Sequence, residues 1–301
     1  MLEKIASKLF LERLQELINS DPMIATLSYM LNRKQLLEWA FSIGITTDKG
    51  LRSIVSPIPP VHLRSITAAA EQEIFLWTGA FDTDLLVNLF RENGYPADKP
   101  GLRVLDFGCG CGRMTRYLSM DENIEAYGSD VNNDLVVWCQ ENLKGVTTVK
   151  NDTKPPLPFE DHFFDCIYTL SIFSHLDELS STEWIIELSR LLRPGGLLAL
   201  TTHGYPALNI IRDSSLHQSM FRVTKEWANE SLSDLKDLKF MHLPYDKEIL
   251  VQANAGESYG NTFVHPEKVS ELCASSSFEL VQHLEGGLRG WQDIYLIRKK
   301  D

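Results

Sequence analysis

The stretch Val104-Leu-Asp-Phe-Gly-Cys-Gly-Cys-Gly-Arg113 joins a short apolar segment to three closely spaced glycines. The apolar segment predicts a buried strand, and residues 114–118 predict the start of a helix behind the glycines. Glycine lets the backbone adopt conformations that other residues avoid, and it lets a ligand approach the main chain closely. The stretch therefore predicts a strand, a ligand-binding turn and a helix, in that order.

An acidic residue, Asp130, ends the next predicted strand, residues 125–130. A carboxylate at the end of the second strand of a doubly wound sheet can accept hydrogen bonds from both ribose hydroxyl groups. The glycine turn and this acid, in register along the chain, predict a nucleoside-binding site.

The glycine pattern does not match that of a dinucleotide site, Gly-x-Gly-x-x-Gly. Arg113 and Thr115 stand where the third glycine would fall, counted from Gly108 or from Gly110. Asp106 also places an anion directly before the glycines, where it would repel a pyrophosphate and attract a cationic ligand. These features favour S-adenosylmethionine, which carries positive charge, over NAD.

Beyond residue 101, predicted strands alternate with helical patterns, which indicates βαβ units and a parallel sheet. The last two predicted strands are joined by Glu285-Gly286-Gly287, which is too short for a helix and predicts an antiparallel hairpin. The sequence thus predicts a doubly wound, mostly parallel α/β fold with a seven-stranded sheet. The predicted strands are residues 103–107, 125–130, 145–150, 164–169, 196–202, 278–283 and 292–298.

Two regions outside this pattern define the predicted domains. Residues 1–98 predict an N-terminal helical region that covers the substrate, with helices at 2–18, 23–41, 65–77 and 82–92. Residues 99–301 predict the cofactor-binding domain. About sixty residues separate strand five from a helix that starts near Pro266, longer than a usual connection. This insertion, residues 204–264, is aromatic-rich and predicts a cap over the acceptor.

Residues 102–202 and the closing hairpin resemble class I S-adenosylmethionine-dependent methyltransferases of the bacterial small-molecule type, which have a Rossmann-like fold. The family motifs appear in the family's order along the chain. They are Val104 to Gly112, Asp130, Asn151-Asp152, Leu157-Pro158-Phe159 with Phe164-Asp165, Ser171-Ile-Phe-Ser-His-Leu176, Leu191-Leu-Arg-Pro-Gly-Gly196 and Gly290-Trp-Gln-Asp-Ile-Tyr-Leu296.

This resemblance implies a role for each part of the site. The first motif holds the methionine end of the cofactor, Asp130 binds the ribose, and Asn151-Asp152 accepts from the adenine amino group. The residues that we expect to bind the cofactor are Asp106, Gly108, Gly110, Gly112, Arg113, Asp130, Val131, Asn151, Asp152, Thr153, Leu170, Ser171 and Phe173.

Two histidines are candidates for proton transfer. His203 follows strand five, at the carboxyl edge where open α/β sheets place ligands, and it is the first candidate for a general base. A histidine hydrogen-bonded within a loop is the equally weighted alternative. His175 follows strand four and is the second candidate, although its counterparts in the family are often structural.

Composition limits the partners. Lys plus Arg is 29 and Asp plus Glu is 41, a formal charge of −12 that disfavours nucleic acid and anionic membranes. The five scattered cysteines do not form a disulfide framework, and the first helix is interrupted by acids unlike a signal peptide, so a cytoplasmic protein is expected. A homo-oligomer is left open.

The predicted reaction is metal-independent methyl transfer to a small molecule, with oxygen as the favoured acceptor and a role in secondary metabolism as an expectation. Clustered acids for a metal are absent at strands four and five, where Thr169, Thr202 and His203 stand. The alternatives are an N- or C-methyltransferase, a non-catalytic protein that binds S-adenosylmethionine, and an NAD-dependent oxidoreductase.

Overall fold

The computed structural model describes residues 8–20, 55, 57–95, 99–253 and 256–300. Their contacts divide them into two compact units. The first contains the described residues up to Gly101, together with Cys109–Gly128 and Asn133–Thr148. The second contains Leu102–Gly108, Ser129–Asn132 and the residues from Val149 onward. The predicted boundary at residue 98 remains a prediction.

The first unit is mainly helical. Buried Phe75, Leu76, Ala80 and Tyr117 form the centre of its apolar core. The predicted helix at 23–41 lies outside the described residues. The helices are α1 (Lys8–Ser20), α2 (Val61–Thr67), α3 (Gln72–Glu92), α4 (Thr115–Leu118) and α5 (Asn133–Asn142).

The helix boundaries between 61 and 92 correct the sequence prediction. A break was expected after residue 77, but it lies between α2 and α3, where the Arg64 guanidinium donates to the Ala70 carbonyl oxygen at 2.6 and 3.1 Å. Gly79, near the expected break, is inside α3. A Cβ at this position would collide with the Arg113 carbonyl oxygen, so the glycine allows close packing and does not end the helix.

The second unit contains most of the sheet, and residues 124–128 and 146–148 of its strands belong to the first unit. The strands are β1 (Leu102–Phe107), β2 (Ile124–Asp130), β3 (Val146–Lys150), β4 (Phe164–Thr169), β5 (Leu192–His203), β6 (Phe240–Pro244), β7 (Gly260–Val264), β8 (Phe278–Leu288) and β9 (Gln292–Lys299). The strand order is β3-β2-β1-β4-β5-β7-β6, with β9 paired to β5 and β8 paired to β9. Strands β1, β4 and β5 are parallel neighbours, whereas β9 is antiparallel to β5 and β8.

The seven predicted strands and the C-terminal hairpin are confirmed, and β1, β4 and β9 are buried along nearly their whole length. Helix α6 (Glu178–Leu191) links β4 to β5, and α11 (Pro266–Ala274) precedes β8. Within the described residues the sheet has two further strands, β6 and β7, that the sequence did not predict.

The residues between β5 and α11 form helices and the hairpin β6–β7. The helices are α7 (Tyr205–Asp213), α8 (Ser215–Phe221), α9 (Lys225–Leu238) and α10 (Lys247–Ala253). Helices α7, α8 and α9 pack around buried Leu208, Ile211, Leu235 and Phe263. Strand β7 lies beside β5 and is parallel to it, with Phe263 paired to His203. No helix within the described ranges is long and apolar enough to cross a membrane.

Candidate functional site

The glycine turn after β1 adopts the backbone that the sequence predicts. Gly108, Gly110 and Gly112 have φ angles of +85°, +54° and +73°. A Cβ on Gly108 would collide with the side chain of Ile172, and the Gly108 N–H donates to the Ser129 carbonyl oxygen at 2.8 Å. Positive φ angles and close contacts together require glycine at these positions.

The second half of the turn lies in the first unit and contacts helix α2. The Thr67 hydroxyl accepts a hydrogen bond from the Cys111 N–H at 3.2 Å and donates to the Leu63 carbonyl oxygen at 3.1 Å. A Cβ on Gly110 would collide with Thr67. The N-terminal region therefore contacts the glycine turn directly.

Arg113 is buried, with 6% of its surface exposed, and its guanidinium forms an ion pair with Asp82 of α3 at 2.6 Å. A buried ion pair satisfies the charge of both side chains within the protein. The structure thus gives Arg113 a partner in the first unit, and its expected contact with the cofactor remains a prediction.

The acid at the end of β2 lies in a tight turn of the second unit. The Asp130 carboxylate accepts a hydrogen bond from the Asn132 N–H at 2.8 Å, and the Asp130 carbonyl oxygen accepts one from the Asn151 N–H at 3.0 Å. These bonds hold residues 130–132, including Val131, beside the end of β3. Asp106 is buried at the end of β1, opposite Tyr168 of β4.

The residues after β3 divide between interior and surface. Asn151 is buried and its Nδ2 donates to the Asp152 carbonyl oxygen at 2.8 Å, while its Oδ1 is buried with no hydrogen-bond partner among the described residues. The Asp152 side chain is 87% exposed and lies 3.7 Å from the Lys150 ammonium. Thr153 is exposed. Of the two residues expected near adenine, the structure therefore buries Asn151.

The segment after β4 contains an unusual backbone conformation at Ser171, whose φ is +58°. Non-glycine residues in this region are often found at functional sites. Leu170 and Ser171 are half-buried, whereas Phe173 is buried and lines an apolar cavity together with Ile185 of α6 and Leu272 of α11. The role of Phe173 in the cofactor wall remains a prediction.

These residues fit S-adenosylmethionine. The turn at Gly108 leaves no space for a side chain, and Asp106 supplies a buried carboxylate beside it for a cationic ligand. The unpartnered Oδ1 of Asn151 is an acceptor that an adenine amino group can satisfy. No group of three or more metal-ligating side chains occurs in the described part of the chain.

His175 is held by the hairpin β6–β7. Its Nδ1 lies 3.0 Å from the Gly260 carbonyl oxygen and 2.8 Å from the Tyr245 hydroxyl, which donates to Asn261 Oδ1 at 3.0 Å. A carbonyl oxygen can only accept, so Nδ1 carries the proton and Nε2 is the basic nitrogen. Burial lowers the pKa of His175, so the ring is neutral near pH 7.

His203 is more deeply buried, with 2% of its surface exposed. Its ring lies 5.4 Å from Phe263, 5.4 Å from Trp291 and 5.6 Å from Phe221, and 6.0 Å from the ring of His175. Burial, followed by the neighbouring His175, lowers the pKa of His203 to about 3. The two predicted candidates are therefore neighbours, and both are uncharged near neutral pH.

Three polar residues beside these histidines are not predicted from the sequence. Gln292 lies 3.2 Å from His203 Nε2, and Tyr245 and Asn261 form the hydrogen-bonded chain to His175. Gln292 falls within the quoted segment 290–296, where a polar residue at the start of a buried strand was the available signal. No sequence signal pointed to Tyr245 and Asn261, because their positions beside His175 depend on the hairpin β6–β7, which was not predicted.

Comparison with known proteins identifies the domain. Residues 104–196 match the family model of a methyltransferase domain. A fatty-acid O-methyltransferase from Mycolicibacterium smegmatis is 34% identical over 118 residues, 38% of this chain and 42% of that protein. A malonyl-[acyl-carrier protein] O-methyltransferase from Enterobacter lignolyticus is 26% identical over 189 residues, 60% of this chain and 73% of that protein.

A solved structure supports the fold. The PH0226 protein from Pyrococcus horikoshii aligns with a TM-score of 0.50 and 19% identity, over 79% of this chain and 95% of that protein. The Mycolicibacterium match spans less than half of that relative's length. The matched residues contain the glycine turn, Asp130 and Asn151. Residues 104–196 are therefore a methyltransferase domain, and the cofactor of such domains is S-adenosylmethionine.

Proposed function

We propose that this protein transfers a methyl group from S-adenosylmethionine to a small molecule, without a metal ion. Two buried features carry the proposal, and each matches one part of the cofactor. Asp106 next to Gly108 suits the cationic methionine end, and the unpartnered Oδ1 of Asn151 suits the adenine amino group. When bound, the cofactor supplies a methyl group activated by its sulfonium. The protein's task is then to position the acceptor and remove its proton.

Oxygen is the acceptor atom that we propose. Both named relatives are O-methyltransferases by name, one of fatty acids and one of malonyl-[acyl-carrier protein]. A hydroxyl acceptor loses a proton during transfer, and a neutral histidine near the site can take it. A methylation at nitrogen or carbon is the competing outcome, which product analysis distinguishes.

The geometry favours His175 over His203 as the proton acceptor. The Nδ1 proton of His175 is held by Gly260, which leaves Nε2 as an available base. His203 Nε2 already faces the Gln292 amide, and burial lowers its pKa to about 3, far below that of an efficient base at pH 7. We therefore propose His175 as the base and His203 as its buried neighbour.

Cofactor binding is the first test. Calorimetry with S-adenosylmethionine and with NAD should show binding of the first ligand alone. Asp130→Ala should weaken S-adenosylmethionine by about tenfold or more, because hydrogen bonds to a charged carboxylate contribute about 1.5–3 kcal/mol. Asp234→Ala, on the exposed surface of α9, is the matched control and should bind as the wild type does. Unchanged affinity in Asp130→Ala would show that the ribose assignment is wrong.

The base is tested by turnover. Transfer of labelled methyl groups is measured with a panel of free fatty acids, acyl thioesters and phenols. The best acceptor whose reacting hydroxyl is still protonated at pH 7 is kept, because a carboxylate has no proton for a base to remove. His175→Ala should reduce kcat by about a hundredfold, within the usual contribution of a general base, and cofactor affinity should remain unchanged. A larger loss in His203→Ala than in His175→Ala would reverse the assignment.

A further inference from the structure

Gln292 lies where the two strand ends of the candidate site meet. It is the first residue of β9, is 3% exposed, and pairs in register with His203 of β5. Its amide contacts four polar side chains. The distances are 2.7 Å from Oε1 to Thr201 Oγ1, 3.2 Å from Oε1 to Ser171 Oγ, 3.4 Å from Nε2 to Ser174 Oγ and 3.2 Å from Nε2 to His203 Nε2.

The direction of each hydrogen bond follows from the network, which is how an amide orientation is assigned. The Ser171 N–H donates to Thr201 Oγ1 at 2.8 Å, so the Thr201 proton is available for Gln292 Oε1. The Ser171 hydroxyl also donates to Oε1. The two Nε2 protons of Gln292 then point at Ser174 Oγ and at His203 Nε2.

His203 Nε2 must therefore accept a hydrogen bond. A neutral imidazole carries one proton, and the accepting nitrogen cannot hold it. The proton of His203 is accordingly on Nδ1, which forms no hydrogen bond among the described residues, although the backbone of Thr262 lies near the ring. The side chain of Gln292 thus determines which nitrogen of His203 is protonated.

The same amide joins the segments that carry the catalytic candidates. Ser171 and Ser174 belong to the segment after β4, which contains His175, and Thr201 and His203 end β5. The Ser174 carbonyl oxygen accepts from the Thr262 N–H at 2.8 Å, which ties this segment to β7 as well. Three of the four side chains that meet Gln292 are therefore a candidate histidine or lie within two residues of one, and the fourth is Ser171, whose φ is positive.

We propose that Gln292 is the positioning residue of this site: its amide holds the ends of β4 and β5 together and keeps the proton of His203 on Nδ1. Its effect on turnover rests on the proposed methyl transfer, with His175 as base. Its effect on the His203 proton does not, since it follows from the hydrogen bonds alone.

The proton position is measured directly by NMR. Long-range nitrogen–proton spectra of the full chain, labelled with ¹⁵N-histidine, assign the His203 ring by the signals lost in His203→Phe. In the wild type we expect Nδ1 at the shift of a protonated ring nitrogen and Nε2 at that of an unprotonated one. The opposite pattern in the wild type overturns the proposal without the need for any variant at position 292.

The variants test the cause. Gln292→Met keeps the length of the side chain and removes all four hydrogen bonds, so the His203 nitrogen shifts should move towards a mixture of the two tautomers. Thr201→Val removes one bond that orients the amide and should produce a smaller shift in the same direction. Unchanged His203 shifts in both variants overturn the proposal. Gln282→Met, on the partner strand β8, is the matched control and should leave the shifts unchanged.

Turnover separates positioning from simple loss of stability. In Gln292→Met we expect kcat to fall by roughly tenfold to a hundredfold, the effect of a misplaced catalytic group, with KM for S-adenosylmethionine nearly unchanged. Thr201→Val combined with Gln292→Met should cost less than the sum of the two single effects, because both break one network. Additive effects, or an increase in KM alone, would contradict the positioning role. If no acceptor is methylated even by the wild type, the proposed function fails while the NMR result still decides the inference.

Discussion

At the scale of single residues, the deep burial of His203 couples its protonation to folding. Its pKa is about 3 in the folded protein, against 6.5 for an unperturbed histidine, because burial disfavours the charged ring. Between these two values the unfolded chain binds the additional proton. Stability conferred by the neutral ring is therefore present above pH 6.5 and is lost as the pH falls towards 3.

This coupling predicts acid sensitivity. Between pH 7 and pH 5 the folded protein should lose about 2 kcal/mol of unfolding free energy through His203. Urea unfolding at the two pH values measures the loss, and His203→Phe, which keeps an aromatic ring in the same cluster, should show a pH dependence smaller by about that amount. A variant with the wild-type pH dependence would show that His203 is not the group responsible.

The conformation and position of single residues were predictable where they depend on the neighbouring sequence. The left-handed glycines after β1 and the acid ending β2 follow from local pattern, and the structure places both as expected. The burial of His203 does not, because its neighbours Phe221, Phe263 and Trp291 come from three distant segments. Its position at a sheet edge left a general base and a hydrogen-bonded loop histidine equally weighted, and tertiary packing surrounds it with aromatic rings.

At the scale of elements, the strands β1 and β5 were predictable because each contains an apolar run next to glycine. Hairpin β6–β7 was not, since its strands are defined by pairing across residues 240–264 and with the segment after β4. The N-terminal helices show the same limit. Gly79 resembles a helix break in sequence, but the near approach of the Arg113 backbone is what requires it. Short-range pattern thus fails where a long-range contact determines the conformation.

At the scale of the whole molecule, the chain has a net charge of −12, and two of its acidic residues lie in the candidate site. Asp106 is buried and Asp130 is hydrogen-bonded at the edge where the glycine turn lies, while Asp152 stays on the surface. Anions at this edge favour a cationic ligand over a pyrophosphate.

Cofactor binding should be visible in the stability of the entire chain. A ligand that binds only the folded state adds RT ln(1 + [L]/Kd), or about 2.7 kcal/mol at a concentration one hundred times Kd. S-adenosylmethionine at that concentration should raise the unfolding free energy by this amount in urea titrations. NAD at equal concentration should leave it unchanged, because Arg113 replaces the third glycine and Asp106 opposes a pyrophosphate. Equal stabilisation by S-adenosylmethionine and NAD would contradict the assignment of the site. The same buried carboxylate cannot favour both a cationic and an anionic ligand.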